Sequence, residues 1–243
     1  MIAVRALPGA KRRKVSKDLK IYAVNIEAFE TVQEDSLSEW MDLIDCARRE
    51  RIGKLKQKKD RLQSIGAGLL LRYSFLQQGG TKEEWEGITI QRGLSGKPSI
   101  VEYPEFCYSL SHSGKWVICG VHSKELGADI QEMRTWNIRL ARRFFAAEEY
   151  ERLMHLEEMQ RQQSFYKMWT AKESYAKLTG DGIGNGISQY LTSLAFDKII
   201  DTNKGIEAAI KIYDFSDYMV CVCTREGSSF PKGIEIISLE DLK

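Results

Sequence analysis

FYKMWTAKESYAKLTGDGIGNG, residues 165–186, decides how this chain is read. Taken as a helix, it puts Phe165, Met168 and Trp169 on one apolar face. Glu173 and Lys177 stand four residues apart, so their side chains lie one above the other. On a solvated face such a pair is an ordinary, weak ion pair. Behind the helix come Gly180, Gly182, Gly184 and Gly186, a loop whose backbone a ligand can approach closely. Two segments elsewhere in the chain decide between a surface bridge and a site.

The 243 residues fit one large domain or two small ones and can bury a sizeable core. Hydrophobic residues make up 43% and charged residues 29%, ordinary for a globular protein. No run of about 18 apolar residues occurs, so no membrane span is expected. The start lacks a charged-then-apolar signal pattern, so a cytoplasmic location is expected. A net charge of +2 does not call for nucleic acid. The cluster Lys11, Arg12, Arg13 and Lys14 precedes the first periodic segment and reads as a flexible, solvated end over residues 1–20. The five cysteines are odd in number and lack a CxxC pair, against a disulfide framework or zinc site. Cys221 and Cys223 alternate within an apolar run and read as buried strand thiols in a reducing compartment.

Ile21–Ile26 reads as a first strand. Ser36 or Ser38 is placed to cap a helix running through Trp40, Leu43 and Ile44. A second helix, about Asp60–Gln77, carries an apolar stripe and ends at Gly79–Gly80. Strands follow at 88–91, 106–110 and 116–121, the last two joined as a hairpin around Ser113-Gly114-Lys115, with Leu94–Pro98 a loop. Leu126–Ile130 is another strand. Helices are expected over 138–145, 147–159 and 161–179, then strands near 190–196, 208–213, 218–224 and 234–238. The pattern is α+β with mostly antiparallel pairing. A division near Ser123–Glu125 gives parts of 21–124 and 125–243.

Three segments carry the chemistry. They are Gly96-Lys97-Pro98 with Tyr108-Ser109-Leu110-Ser111-His112-Ser113-Gly114; Gly127-Ala128-Asp129-Ile130-Gln131; and Trp169-Thr170-Ala171-Lys172-Glu173-Ser174-Tyr175-Ala176-Lys177. Alone, each has a plain reading: a solvated lysine, a turn histidine, an acid at a strand end. In this order and spacing they resemble the 4′-phosphopantetheinyl transferase superfamily, of the type that activates surfactin synthetase. The resemblance runs from about Ile21 to the C-terminus.

It implies two similar α+β subdomains about a pseudo-twofold axis, with the site in the crevice between them. It implies that coenzyme A donates its phosphopantetheine arm to a serine of an apo carrier protein, acyl or peptidyl. Adenosine 3′,5′-bisphosphate leaves, with Mg²⁺, or Mn²⁺, on the pyrophosphate. A monomer that binds neither nucleic acid nor membrane is implied.

Asp129 and Glu173 match the family's metal carboxylates, and Lys177 a lysine on the phosphates. Phosphoryl transfer asks for such charge neutralisation, and Mg²⁺ for one or two carboxylates beside phosphate oxygens. Arg51, Lys97, Pro98, Ser109, Ser111 and His112 match positions that grip the coenzyme. A phosphate beside His112 would raise its pKa. A further basic position of the family falls near Arg61 and Gln63. Many relatives carry an acid where this chain has Gln131, whose carbonyl, or a water, would fill that place. Glu149 matches an acid proposed near the reaction centre, yet also suits a helix N-terminus. Glu173 acting through a water is the other candidate base. The rival readings are another metal-dependent phosphotransferase and an inactive coenzyme-binding relative.

Overall fold

The computed structural model describes residues 18–31, 34–93, 96–182, 186–225 and 229–243. The Lys11–Lys14 cluster and most of the expected flexible end, Leu94, Ser95 and Gly184 lie outside the described residues.

Strand β1 (Lys20–Asn25) is followed by helices α1 (Glu34–Asp42), α2 (Cys46–Lys54), α3 (Lys58–Gln77) and α4 (Lys82–Glu86). Strands β2 (Ile90–Arg92), β3 (Pro98–Ile100), β4 (Cys107–Ser113), β5 (Trp116–His122) and β6 (Leu126–Glu132) come next. Helices α5 (Ile138–Phe144), α6 (Ala147–Met154) and α7 (Glu158–Thr179) precede β7 (Tyr190–Thr192), β8 (Lys198–Asp201), β9 (Ile206–Phe215), β10 (Tyr218–Thr224) and β11 (Glu235–Ile236). The α+β class expected from the sequence holds. Among the described residues no helix is long and apolar enough to cross a membrane.

A repeat invisible in the residues appears in the topology. In the first half, β1, α3 and the β4–β5 hairpin form a sheet in the order β1-β5-β4. In the second, β6, α7 and the β9–β10 hairpin form one in the order β6-β10-β9. Each is a first strand, a long helix and a hairpin whose second strand pairs back on the first. Strand β11 returns from the second half to lie parallel to β1.

Alternation along the strands stacks the halves in four layers. Tyr22 and Val24 of β1 face α3, while Ile21 and Ala23 meet Ala128, Ile130, Val220 and Val222 of the other sheet. Cys221 and Cys223 then face Ala171 and Tyr175 of α7. Their thiols are pushed well up by burial, as suits inert core cysteines.

The sheet edges β4 and β6 abut without pairing to each other, and serine hydroxyls join them. Ser109 Oγ accepts from the Ala128 amide at 2.9 Å, Ser111 Oγ from Ile130 at 3.3 Å and Ser113 Oγ from Glu132 at 2.9 Å.

Several boundaries differ from the sequence reading for identifiable reasons. Helix α1 begins at Glu34, so Ser36 and Ser38 fall inside it rather than at its cap. Helix α2, hidden in a basic run, is capped by Asp45 accepting from the Arg48 amide. Short α4 is set by the Thr81–Glu84 capping box. Helix α3 is buried on nearly every side rather than along one stripe, because other elements cover the face away from its sheet.

Helix α7 packs directly on β6 at Gly127. A Cβ there would collide with the Ser174 carbonyl oxygen and stand 2.5 Å from the Leu178 amide nitrogen. Both obstacles are backbone and cannot rotate aside. Gly127→Ala is expected to cost about 3 kcal/mol, the upper end for overpacking. That lowers the melting temperature by about 6–12 °C for a chain of this size. Thermal unfolding followed by circular dichroism checks this.

Candidate active site

Where β6 passes under α7, the strand carries Gly127, Asp129 and Gln131 toward the helix. Asp129 is 1% exposed. Its Oδ1 accepts from Lys177 Nζ at 2.7 Å and from Ser111 Oγ at 2.8 Å. Its Oδ2 accepts from Gln131 Nε2 at 3.0 Å. Lys177 thus reaches across to the strand acid instead of bridging to Glu173, its neighbour one helical turn back.

Glu173 is also buried, at 7% exposure. Burial, and then the Asp129 charge, raise its carboxyl to about 7, with Lys177 opposing. Two carboxylates share one lysine here, so near neutral pH the second keeps a proton about half the time. Among the described residues no three His, Cys, Asp or Glu side chains converge. Asp129 and Glu173 are the two carboxylates here that could hold a cation, and Gln131 turns its Nε2 to Asp129.

Glu173 and Lys177 form one wall of a cavity of about 800 Å³. The opposite wall comes from the first half: Arg48 and Arg51 of α2, Gln63 and Ser64 of α3, Arg92, Lys97 and Pro98 around the β2–β3 turn, and Tyr108, Ser109 and His112 of β4. Five cationic side chains face the cavity against two carboxylates, Asp60 and Glu173. The buried hydroxyls of Ser64 and Tyr108, both on this wall, have no hydrogen-bond partner among the described residues. Such groups cost free energy unless something completes them. The arrangement suits an elongated, polyanionic small molecule with polar edges.

The residues singled out in the sequence divide into those brought to the cavity and those that are not. Arg51, Lys97, Pro98, Ser109, His112, Glu173 and Lys177 line it, and Asp129 lies behind Lys177. Lys97 is already engaged: its Nζ donates to the carbonyls of Leu126 at 3.0 Å and Leu178 at 3.2 Å and pairs with Glu125. It ties the first half to both the strand and the helix of the second. His112 keeps exposed surface, yet it sits in a concave wall. Burial, then Lys177 and Arg48, lower its pKa, with Asp60 and Asp129 opposing. Without a ligand its neighbours therefore favour the neutral ring, and only a bound anion would reverse that. Of the two residues near the unassigned basic position, Gln63 lines the cavity, its Nε2 donating to Gly114 O at 3.0 Å, whereas Arg61 is exposed.

Ser111 and Glu149 do not line the cavity. Ser111 turns to Asp129. Glu149, 1% exposed, lies 2.6 Å from Lys172 Nζ, itself wholly buried. Its Oε1 accepts from the amide and hydroxyl of Thr192, both at 2.9 Å, and its Oε2 from the Ala146 amide at 3.3 Å. Lys172 also donates to the carbonyls of Ile187, at 3.1 Å, and Tyr190. The pair fastens α6, α7 and β7 together, and Glu149 holds the start of α6.

Sequence reasoning missed Arg48, Ser64, Arg92 and Tyr108. The signal for Arg48 was present. Asp45 is a helix-capping residue type, and the helix it starts puts Arg48 and Arg51, three apart, on one face.

Comparison with known proteins agrees across the chain. A family model described as the 4′-phosphopantetheinyl transferase superfamily matches residues 125–225, and one described as 4′-phosphopantetheinyl transferase, N-terminal, matches residues 31–124. A 4′-phosphopantetheinyl transferase of Bacillus subtilis is 30% identical over 229 residues, covering 92% of this chain and 100% of that protein. The 4′-phosphopantetheinyl transferase Sfp of Bacillus subtilis strain 168 is 26% identical over 228 residues, with the same coverage. Among solved structures, the holo-[acyl-carrier-protein] synthase (AcpS) of Thermotoga maritima is matched at a TM-score of 0.33 and 14% identity, over 41% of this chain and 61% of that one. With full-length similarity to such relatives and with both halves matched in turn, this chain belongs to the 4′-phosphopantetheinyl transferase superfamily.

Proposed function

We propose that the protein transfers the 4′-phosphopantetheine arm of coenzyme A to a serine hydroxyl of an apo acyl or peptidyl carrier protein. The observation that carries this is the cation-rich cavity closed on one side by Glu173 and Lys177, with Asp129 behind them. In the reaction the serine oxygen bonds to the phosphorus bearing pantetheine. The bond from that phosphorus to the bridging oxygen breaks, and adenosine 3′,5′-bisphosphate leaves with the electron pair.

Residues 21–124 supply the nucleotide wall. Arg48, Arg51 and Lys97 offset phosphate charge there, while Ser64 and Tyr108 offer hydrogen bonds that nothing among the described residues takes. Residues 125–243 supply the reacting end. Lys177 stands where charge develops on the pyrophosphate, the place at which a fixed cation contributes most.

The donor set fits Mg²⁺, or Mn²⁺, as a hard cation that takes one or two carboxylates beside phosphate oxygens. Asp129 and Glu173 would hold it, with Gln131 nearby, and when bound it would neutralise the pyrophosphate. The serine proton must pass to a base within hydrogen-bond reach. Glu173 lines the cavity, which favours it, directly or through a water. Glu149, sealed against Lys172 and Thr192, is assigned to holding α6.

Carrier proteins of this kind are acidic. Helix α5 starts five residues after β6 and exposes Ile138 (47%) and Leu140 (38%) among Arg139, Arg142 and Arg143. Exposed apolar side chains set among arginines complement an acidic helix, and we assign carrier docking to this short helix. We expect the enzyme to act as a cytoplasmic monomer.

Four outcomes are expected. Incubation with coenzyme A, Mg²⁺ and a panel of apo carriers should add one phosphopantetheine arm to a carrier, read by intact mass. Lys177→Ala should lower that turnover by about 10²–10³-fold with an unchanged circular dichroism spectrum. A near-normal rate would remove Lys177 from the chemistry.

Gln131→Glu adds a carboxylate beside Asp129 and should tighten Mg²⁺ by about tenfold. Titration of the metal requirement checks this, and an unchanged requirement would put residue 131 outside the coordination sphere.

Glu173 supplies the pH dependence. Its folded-state pKa is raised, to about 7, above the ordinary 4.5. Its contribution to stability is therefore full below about 4.5 and lost as pH rises through about 7. Relative to Glu173→Gln, the ligand-free wild type should lose at most about 3 kcal/mol between pH 5 and 8. Urea melts at both pH values measure that difference.

A further inference from the structure

Residues 48–61, RRERIGKLKQKKDR, hold eight cations against two acids, in a chain whose net charge is only +2. The run joins α2 to α3. Of its cations, Arg48 and Arg51 line the cavity, and Arg48 and Arg49 pair with Asp45 and Asp42. Lys54, Lys56, Lys58, Lys59 and Arg61 are all exposed, and among the described residues none of them forms a salt bridge. Elsewhere Lys20, Lys97, Lys115, Lys198 and Lys204 each pair with a carboxylate.

The start of α3 shows that this charge does not serve the helix. A helix N-terminus is positive and favours acids. Helices α4, α6 and α7 follow that rule, with Glu83 and Glu84, Glu148 and Glu149, and Glu158 in their first turns. Helix α3 opens on Lys58 and Lys59, with Asp60 the one acid beside them. Its N-cap, Gln57, makes no side-chain hydrogen bond to the helix.

Location supplies the use. Arg51 and Asp60 are exposed and also line the cavity, with Leu55 between them. The run is therefore part of the cavity's rim, while Lys54, Lys56, Lys58, Lys59 and Arg61 stay outside its wall.

We infer that Lys54, Lys56, Lys58, Lys59 and Arg61 form an electrostatic funnel: they speed the arrival of polyanionic coenzyme A and make no contact with it once bound. The inference rests on the proposed function for the identity of the polyanion. An acidic carrier is the other anionic partner, but the surface assigned to it, α5, and the reacting groups Glu173 and Lys177 belong to the second half. The run belongs to the first. Rim charges act on the association rate and its salt dependence rather than on release. The Debye length shrinks from about 30 Å at 0.01 M salt to about 8 Å at 0.15 M, so the attraction must fade as salt rises.

The test follows association of a thiol-labelled coenzyme A by stopped-flow anisotropy, with Mg²⁺ and no carrier, from about 20 to 300 mM NaCl. It compares wild type, Lys56→Gln/Lys58→Gln/Lys59→Gln, and the control Lys82→Gln/Lys198→Gln/Lys232→Gln, which removes equal charge from positions that do not line the cavity. At low salt the rim variant should associate about three- to tenfold more slowly than wild type, and the two should converge at high salt. Its dissociation rate and its turnover at saturating coenzyme A should match wild type. It should melt no lower than wild type, because it removes positive charge from the positive end of α3. The control should leave every rate unchanged. Association with wild type should itself slow as salt rises, a measurement that needs no variant.

The inference is overturned if association with wild type ignores salt, if the rim variant associates normally, or if the control slows association equally. Faster release at an unchanged association rate overturns it too, since the lysines would then touch the bound coenzyme. So does a raised KM for the carrier with normal coenzyme A association, which would give the surface to the carrier. A wild type that neither binds coenzyme A nor transfers its arm overturns the proposed function and this inference together. A competent wild type beside an equally fast rim variant overturns the inference alone.

Discussion

The site depends on a side chain that is absent. At Gly127 the backbone of β6 touches the backbone of α7, and no residue with a Cβ would allow it. That contact sets the depth at which the helix lies on the strand. Two residues further along the same face comes Asp129, and one helical turn beyond Glu173 comes Lys177. At this depth a lysine on a helix meets an aspartate on a strand at 2.7 Å. A separation of even one methyl group would break the pairing and leave the Asp129 carboxylate buried without its cation.

Charge separates the framework from the chemistry. The Glu149–Lys172 pair is closed: each partner is 1% exposed or less, and carbonyls, amides and a hydroxyl supply its remaining bonds. Such a pair holds helices in place and offers nothing to a ligand. The Asp129–Lys177–Glu173 group is open. It has two carboxylates and one ammonium, and burial, then the Asp129 charge, raises the Glu173 carboxyl to about 7. Across the cavity the imbalance is reversed, with cations in excess and two hydroxyls without partners among the described residues. A molecule carrying several phosphates, together with a cation, would settle both deficits at once. That complementarity separates this cavity from the smaller ones, and it follows from which residues are left incomplete rather than from size.

Much of this was legible in the residues. The α+β class, the hairpin at Ser113-Gly114-Lys115 and the strand over Leu126–Ile130 followed from spacing and residue type, whereas the roles expected of Asp129 and Lys177 came from the family resemblance. What stayed hidden was hidden for physical reasons. The basic run over 48–59 disguised α2, because charge density says nothing of helical phase until the Asp45 cap is recognised. Helix α3 lacks a polar face, so its periodicity understated its burial. Glu149 has the residue type of a base, but only tertiary structure shows that Lys172 and Thr192 have claimed it. Lys97 and Ser111 read alike as coenzyme contacts. Yet both bond across the boundary between the halves, a relation between residues 18 to 81 positions apart that no local pattern encodes.

The repeated topology explains why the chemistry sits in one half only. In both halves a long helix lies on the first strand, and in the second Gly127 on β6 lets the two backbones touch. In the first half the facing strand positions are Tyr22 and Val24, and the contact is core. In the second they are Asp129 and Gln131. Helix α3 is covered on its outer face, so a charge beneath it would have no access to a ligand. Helix α7 borders the seam between β4 and β6, where one sheet ends and the other begins, and its flank opens on the cavity. A polar strand position is useful only at such an edge. The serine hydroxyls that close the seam therefore do two things: they satisfy the outer amides of β6, and through Ser111 they reach the buried carboxylate of Asp129.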